Sequence, residues 1–214
     1  MADGGLNLLA IEPGRLLGAV RALLAAKGIV SPAEIAARIA ATDAAAPAQG
    51  ARMVAKAWTE PDYRARMLAD GTKAAEELGI PMRGAPPLGV LENAPGLHHL
   101  VVCTLCSCYP RAVLGYPPFW YKSAGYRARG VRDPRGLIAE WGTHLPEGTR
   151  IRVVDSTADY RWMVLPLRPA GTAGWDEGRL AALVRETDMI GVTVPTPGPG
   201  VGPEASEADE RARS

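Results

Sequence analysis

The chain has 214 residues, 47% of them apolar and 22% charged, with a formal net charge of +1. That length suits one domain with an appended arm, the apolar share is enough for a real core, and the near-zero charge recommends neither nucleic acid nor an anionic membrane surface as a partner. No apolar run approaches the ~20 residues of a membrane span, and the opening MADGGLNLLAIEPGR lacks the basic region and long apolar stretch of a secretion signal, so the expected compartment is a reducing cytoplasm.

In chain order, Leu16, Leu17, Val20, Leu23 and Leu24 recur at helical spacing over 13–27, and Gly28 supplies the stop. Ser31-Pro32-Ala33-Glu34 has the form of a capping box with proline at the first helical position, and it opens a second helix carrying Ile35 and Ile39. A loop of small residues covers 41–50. Further helical segments follow, broken by Thr starts and Gly stops, so the first 80 residues read as almost wholly helical. Composition changes at Pro81, where PMRGAPPLG forms a connector. Leu97–Val102 is predicted as a strand, Asp133-Pro134 starts a short helix running to Trp141, and two strands are predicted over Arg150–Val154 and Tyr160–Leu165, joined by the turn-forming DSTAD. Asp155-Ser156 in that turn are candidates to reach a partner chain. Trp175–Thr187 is predicted as one amphipathic helix and Ile190–Val194 as a closing strand. The fold class is therefore α+β: a helical N-terminal arm over 1–80, then a mixed α/β layered domain over 81–194. A Pro/Gly-rich and then charged tail over 195–214 is expected to be disordered.

Every cysteine lies in one short stretch, VVCTLCSCYP: Cys103, Cys106 and Cys108. A disulfide would leave one thiol unpaired, and core filling does not explain such clustering. A structural zinc needs four ligands. His98 or His99 can supply the fourth, yet such a metal normally staples segments well apart in sequence. The spacing also permits a different site. The sulfurs of Cys106 and Cys108 and the backbone amides of Ser107 and Cys108 can wrap a metal as a planar chelate, with Cys103 as an axial thiolate. That fills all but one position of an octahedron. Amide nitrogen binds only when deprotonated, which favours a strongly polarising ion such as Co³⁺ or Fe³⁺ over Zn²⁺, and an open position on such an ion is a Lewis-acid site.

The loop, with its flanks GYPPFWYKSAGYRARGVRDPRG and RPAGTAGWDEGRLAALVRETDMIGV and the helical GARMVAKAWTEPDYRARMLADGTKAAEELGI, closely resembles the metal-binding α subunit of nitrile hydratases. It is equally similar to the related γ subunit of thiocyanate hydrolase, and the resemblance covers roughly residues 10 to 195. It implies thiolate ligands from Cys103, Cys106 and Cys108, amide nitrogens from Ser107 and Cys108, and oxidation of Cys106 to a sulfinic and Cys108 to a sulfenic acid. Thr104 matches the cobalt branch, so non-corrin Co³⁺ is expected in preference to iron. The resemblance further implies a β-type partner subunit whose arginines hold the oxidised sulfurs, and a metal-loading activator. The implied reaction is hydration of a nitrile to an amide, the oxygen coming from an activated water or from the sulfenate of Cys108. Arg111 departs from the family pattern, which has Trp after the Tyr-Pro pair. It exchanges an aromatic wall for a cationic one, suiting a polar heteroaromatic nitrile or thiocyanate, unless it turns outward to a partner. Tyr109 is placed in the same substrate pocket. A non-catalytic metal-binding or metal-delivery protein on this scaffold is the reading from another class.

Among the other residues, His98 and His99 are expected to pack or hydrogen-bond. Trp120 and Tyr121 are divided between core and interface, the basic run 127–135 is assigned to a solvated or interface face, and Met67, Met82, Met163 and Met189 are assigned to the core.

Overall fold

The computed structural model describes residues 12–197. The expected disorder of the tail from 198 onward lies outside the described residues. The chain divides into two compact units, one ending at Ala44 and one beginning at Ala45. In the first, α1 (Pro13–Ala26) and α2 (Pro32–Asp43) follow the local signals. Glu12 accepts from the amides of Gly14 and Arg15 at 3.0 Å each, and proline occupies the first position. The Ser31–Glu34 capping box is closed in both directions, at 3.1 and 2.7 Å. No residue of α1 is buried, and Leu17 and Leu23 stay more than half exposed.

The second unit begins with α3 (Pro47–Thr59), α4 (Pro61–Ala69) and α5 (Gly71–Glu77), which the sequence assigns to the arm but which share one core with the strands. Then come β1 (Leu88–Glu92), β2 (Leu97–Val102), the cysteine loop, and the short helices α6 (Arg111–Leu114), α7 (Phe119–Lys122), α8 (Ala124–Arg132) and α9 (Pro134–Glu140). The unit continues through β3 (Arg150–Asp155), β4 (Arg161–Leu165), α10 (Glu177–Leu183) and α11 (Glu186–Ile190). Prolines open α3, α4 and α9, where a missing N–H costs nothing. Asp70, Ser123, Asp133 and Asp176 accept from the first free amides of α5, α8, α9 and α10.

The strands form two parallel pairs. β1 runs beside β4, and β2 beside β3 in the register Leu97↔Arg150 through Val102↔Asp155. β3 and β4 are neighbours in sequence but lie in different sheets, so DSTAD is a crossing between layers rather than a hairpin turn. β1 itself lies partly inside the stretch read as a connector. Met67, Met82, Met163 and Met189 are all buried, as expected. Gly50 is where α3 meets α6 and α11: a Cβ there would come within 2.6 Å of the Leu114 side chain and 2.8 Å of the Met189 sulfur.

Two expectations about 175–194 are corrected. The predicted single helix is two, broken where Val184 and Arg185 turn extended. Buried Asp188 accepts from the Arg185 amide at 2.8 Å and thereby caps α11, a local polar contact that apolar periodicity does not register. The predicted strand over 190–194 is irregular. Gly191 ends α11 at φ 87°, and the amides of Val192 and Thr193 return to the Thr187 carbonyl at 3.0 and 3.3 Å, so those donors are not available to a ladder. A Cβ on Gly191 would approach the His99 carbonyl oxygen to 2.0 Å in a backbone region that L side chains rarely adopt. Gly191→Ala is expected to lower unfolding free energy by roughly 3 kcal/mol or more, read as a shift of the urea midpoint.

Candidate metal centre

β2 delivers the cysteine loop from the interior. Its residues 98–102 are all buried, and Cys103, only 1% exposed, follows directly. The strand end is held by Ser156, whose amide donates to Val102 O at 2.8 Å, and by Tyr126, whose hydroxyl donates to Val101 O at 2.6 Å. Because Val102 pairs with Asp155, the Asp155 carboxylate lies beside the first turn of the loop. It accepts from the Thr104 amide at 3.0 Å and from the Thr104 hydroxyl at 2.5 Å. Asp155, expected as a contact for a partner, is thus a clamp within its own chain. Arg127, placed by sequence on a solvated or interface face, donates to the carbonyls of Thr104 and Leu105, both at 3.3 Å. At the loop's exit, buried Tyr121 donates its hydroxyl to Cys108 O at 2.8 Å.

So held, the loop folds its three sulfurs together. Cys103 Sγ lies 3.6 Å from Cys106 Sγ, Cys106 Sγ lies 3.3 Å from Cys108 Sγ, and all three fall within 4.8 Å of one another. Cys103 and Cys108 are buried and Cys106 is exposed. Cys106 and Cys108 are shifted in opposite directions. Hydrogen bonding from the Cys108 thiol, then from the Ser107 amide, lowers the Cys106 pKa, with the Cys108 amide adding a smaller effect in the same direction. Burial, then the bond to Cys106, pushes Cys108 up to about 12. The Cys106 amide donates to Cys103 Sγ at 3.3 Å. Three convergent soft sulfurs from one short loop fit a thiophilic metal.

Tyr109, one residue on, is buried and donates its hydroxyl to Glu186. Arg111 is exposed at the start of α6, its guanidinium stacked 4.5 Å from the centroid of the Tyr116 ring. His98 and His99 are both buried and turned to Asn93 and Gly191, in the hydrogen-bonding role expected of them. His98 Nε2 lies 2.7 Å from Gly191 O and its Nδ1 lies 3.2 Å from Asn93 Nδ2. Asn93 Oδ1 accepts from the His99 amide at 2.8 Å. A carbonyl on one side and an amide donor on the other select the neutral Nε2–H tautomer of His98. Asn93, Arg127 and Tyr121 carry no motif, and Glu186 lies far along the chain, so sequence reasoning passed over their part in the site.

Fold and site together define an α+β protein whose cysteine loop could hold a metal ion. The nitrile hydratase alpha-chain profile matches residues 12–193, and the chain belongs to that family. It is 46% identical over 179 residues to the low-molecular-weight cobalt-containing nitrile hydratase subunit alpha of Rhodococcus rhodochrous, covering 83% of this chain and 86% of that one. It is 47% identical over 163 residues to the thiocyanate hydrolase subunit gamma of Thiobacillus thioparus, covering 71% and 67%. Among solved structures, a recombinant thiocyanate hydrolase with partially modified cobalt centres superposes with TM-score 0.79 at 42% identity, covering 88% of this chain and 92% of that one. A double mutant of the Fe-type nitrile hydratase of Comamonas testosteroni Ni1 gives 0.76 at 40%, covering 90% and 97%.

Two outcomes follow from the geometry. In the reduced, metal-free chain, iodoacetamide is expected to label Cys106 first, near neutral pH, with Cys103 and Cys108 lagging; peptide mass spectrometry gives the order. Burial lowers the pKa of both His98 and His99. The folded state then binds fewer protons than the unfolded one, so their contribution is present above the unfolded value near 6.5 and is lost as pH falls below it. Urea midpoints measured at descending pH should drop through that window.

Proposed function

We propose that this chain is the metal-carrying subunit of a cobalt-type nitrile hydratase, active with a β-type partner and converting a nitrile to the corresponding amide. The observation that carries the reading is the convergence of the sulfurs of Cys103, Cys106 and Cys108 within 4.8 Å of one another, with the Ser107 and Cys108 amides in the chain between the last two. Those three sulfurs and two nitrogens would hold the ion. Cobalt is the ion proposed, because Thr104 follows the first cysteine and cobalt-containing enzymes are among the relatives. When bound, the metal supplies Lewis acidity that favours negative charge developing on the nitrile.

The chain's own residues do the rest. Exposed Cys106 and less exposed Cys108 are the thiols proposed to reach sulfinic and sulfenic acid, while Cys103, shut in behind β2, stays a plain thiolate. The oxygen added to the nitrile carbon comes from water, directly or by way of the Cys108 sulfenate. Asp155 and Arg127 keep the loop from opening while the sulfurs carry charge. A metal-loading activator and arginines from the partner subunit complete the proposal.

A second reading, a thiocyanate-hydrolysing subunit, is favoured by one observation. Arg111 is an exposed cation, held by Tyr116 and aligned at the start of α6, where an anionic or strongly polar substrate can meet it. Tyr109 forms the buried wall behind. The assembled enzyme is to be assayed against thiocyanate, aliphatic nitriles and heteroaromatic nitriles. Amide from a nitrile supports the first reading; carbonyl sulfide and ammonia from thiocyanate support the second. Cys108→Ser is expected to reduce turnover by more than about a hundred-fold, with the fold retained by circular dichroism. Arg111→Trp is expected to shift preference towards apolar nitriles, and unchanged selectivity would remove Arg111 from the pocket. A colourless complex carrying zinc, with no oxygen added to peptide 103–108, would sink both readings in favour of a non-catalytic metal protein.

A further inference from the structure

The loop's entrance and exit are held in different ways. At the entrance, Thr104 donates its amide and its hydroxyl to the Asp155 carboxylate at the end of β3. At the exit, Cys108 is followed by only two residues before α6, and its carbonyl oxygen is taken by the Tyr121 hydroxyl at 2.8 Å. Tyr121 is fully buried and braced by aromatic edges. The Tyr109 ring lies 4.9 Å away at 69°, Trp120 at 5.8 Å and 80°, and Tyr126 at 5.5 Å. Tyr109 in turn donates its hydroxyl to Glu186, a half-buried carboxylate on α11, far along the chain. A continuous path of hydrogen bonds and ring edges therefore runs from α11 through Tyr109 and Tyr121 to the backbone of Cys108.

The two peptide planes flanking Cys108 are treated unequally. The plane after it is anchored at its oxygen by Tyr121 and at its far end by the buried Tyr109 side chain. Among the described residues no comparable anchor reaches the plane before it, so the direction of the Cys108 side chain is set from the anchored side.

We propose that Tyr121, backed by the Tyr109–Glu186 pair, is a positioning residue that fixes the Cys108 sulfur relative to Cys106 before any metal arrives. The inference rests on the reading of the loop as a metal centre. Removing the Tyr121 hydroxyl leaves the buried Cys108 carbonyl without its donor, a loss the loop can relieve only by turning that peptide. The third sulfur turns with it. A group that orients a ligand in this way affects the metal as well as the fold.

The test uses the full chain co-produced with its partner subunits in cobalt-supplemented medium, comparing wild type, Tyr121→Phe, Glu186→Leu and Tyr63→Phe. Tyr63→Phe is the control: it also deletes the hydroxyl of a fully buried tyrosine, one bonded to Ala74 O at 3.0 Å instead of Cys108. Readouts are metal per chain by elemental analysis, the thiolate-to-metal charge-transfer spectrum per bound metal, and thermal midpoint. Tyr121→Phe is expected to shift the charge-transfer band and cut metal occupancy several-fold, in line with the ~10–100-fold losses typical when a ligand's supporting partner is removed. Glu186→Leu should change both in the same direction by less. Tyr63→Phe should lower the midpoint with an unaltered spectrum. If Tyr121→Phe matches Tyr63→Phe in spectrum and occupancy, the inference is overturned. Should Tyr121→Phe fail to fold, Glu186→Leu decides on the same two readouts. A wild-type complex with no thiolate band at all would instead defeat the metal-centre reading itself, and the two failures are told apart on that sample.

Discussion

The site depends on the register of β2 against β3. Pairing Val102 with Asp155 puts a carboxylate at the point where the chain leaves the sheet, and that carboxylate closes the first turn of the cysteine loop on Thr104. Side chains on a strand alternate between faces, so a slip of one residue would turn Asp155 away and bring Val154 to the same place. The pairing is parallel, β2 is buried, and β3 alternates exposed Arg150 and Arg152 with half-buried Ile151 and Val153, so a slip would turn those apolar side chains outward. The loop's geometry is thus inherited from the sheet, and the thiols need little organisation of their own.

A second set of polar groups ties the helices to this strand. Asn93 bridges His98 and His99, and His98 reaches the carbonyl of Gly191, where α11 ends. These groups are buried, and each finds its partner, as buried polar groups must. Gly191 permits the close approach of α11 to the His99 carbonyl, and α11 carries Glu186 to Tyr109. The same short helix therefore supports both ends of the stretch from His98 to Tyr109. Change at this helix end would be felt at the sulfurs through packed and hydrogen-bonded groups that have no slack to absorb it.

Much of the fold was legible because it is written locally. Pro32 and Pro134 at helix starts, the Ser31–Glu34 capping box, the strand Leu97–Val102 and the Asp133 cap all depend on residues within a few positions of one another, and they appear where expected, whereas Pro47 opens α3 inside the stretch read as a loop. The errors fell where burial and polar contacts override apolar periodicity and composition. Val184 and Arg185 interrupt a good amphipathic pattern because Asp188 is buried and bonded to Thr193 and Arg185. The amides of 192 and 193 close a helix end rather than extend a sheet. Helices 47–77 look like a continuation of the arm by composition, yet Met53, Val54, Tyr63 and Met67 pack into the same core as the strands.

The sequence by itself determined the chemistry available: three cysteines in a spacing that lets their sulfurs converge, Thr104 beside the first of them, and Arg111 three positions beyond the last. Ligand identity and short-range reach are properties of a few covalently linked residues, so they can be read without the fold. Tertiary structure alone decided what holds that loop in shape. Asp155 is 51 residues from Thr104, Tyr121 is 13 from Cys108, and Glu186 is 77 from Tyr109. No local propensity encodes such contacts, since they exist only once parallel strands have paired and the aromatic rings have packed between them.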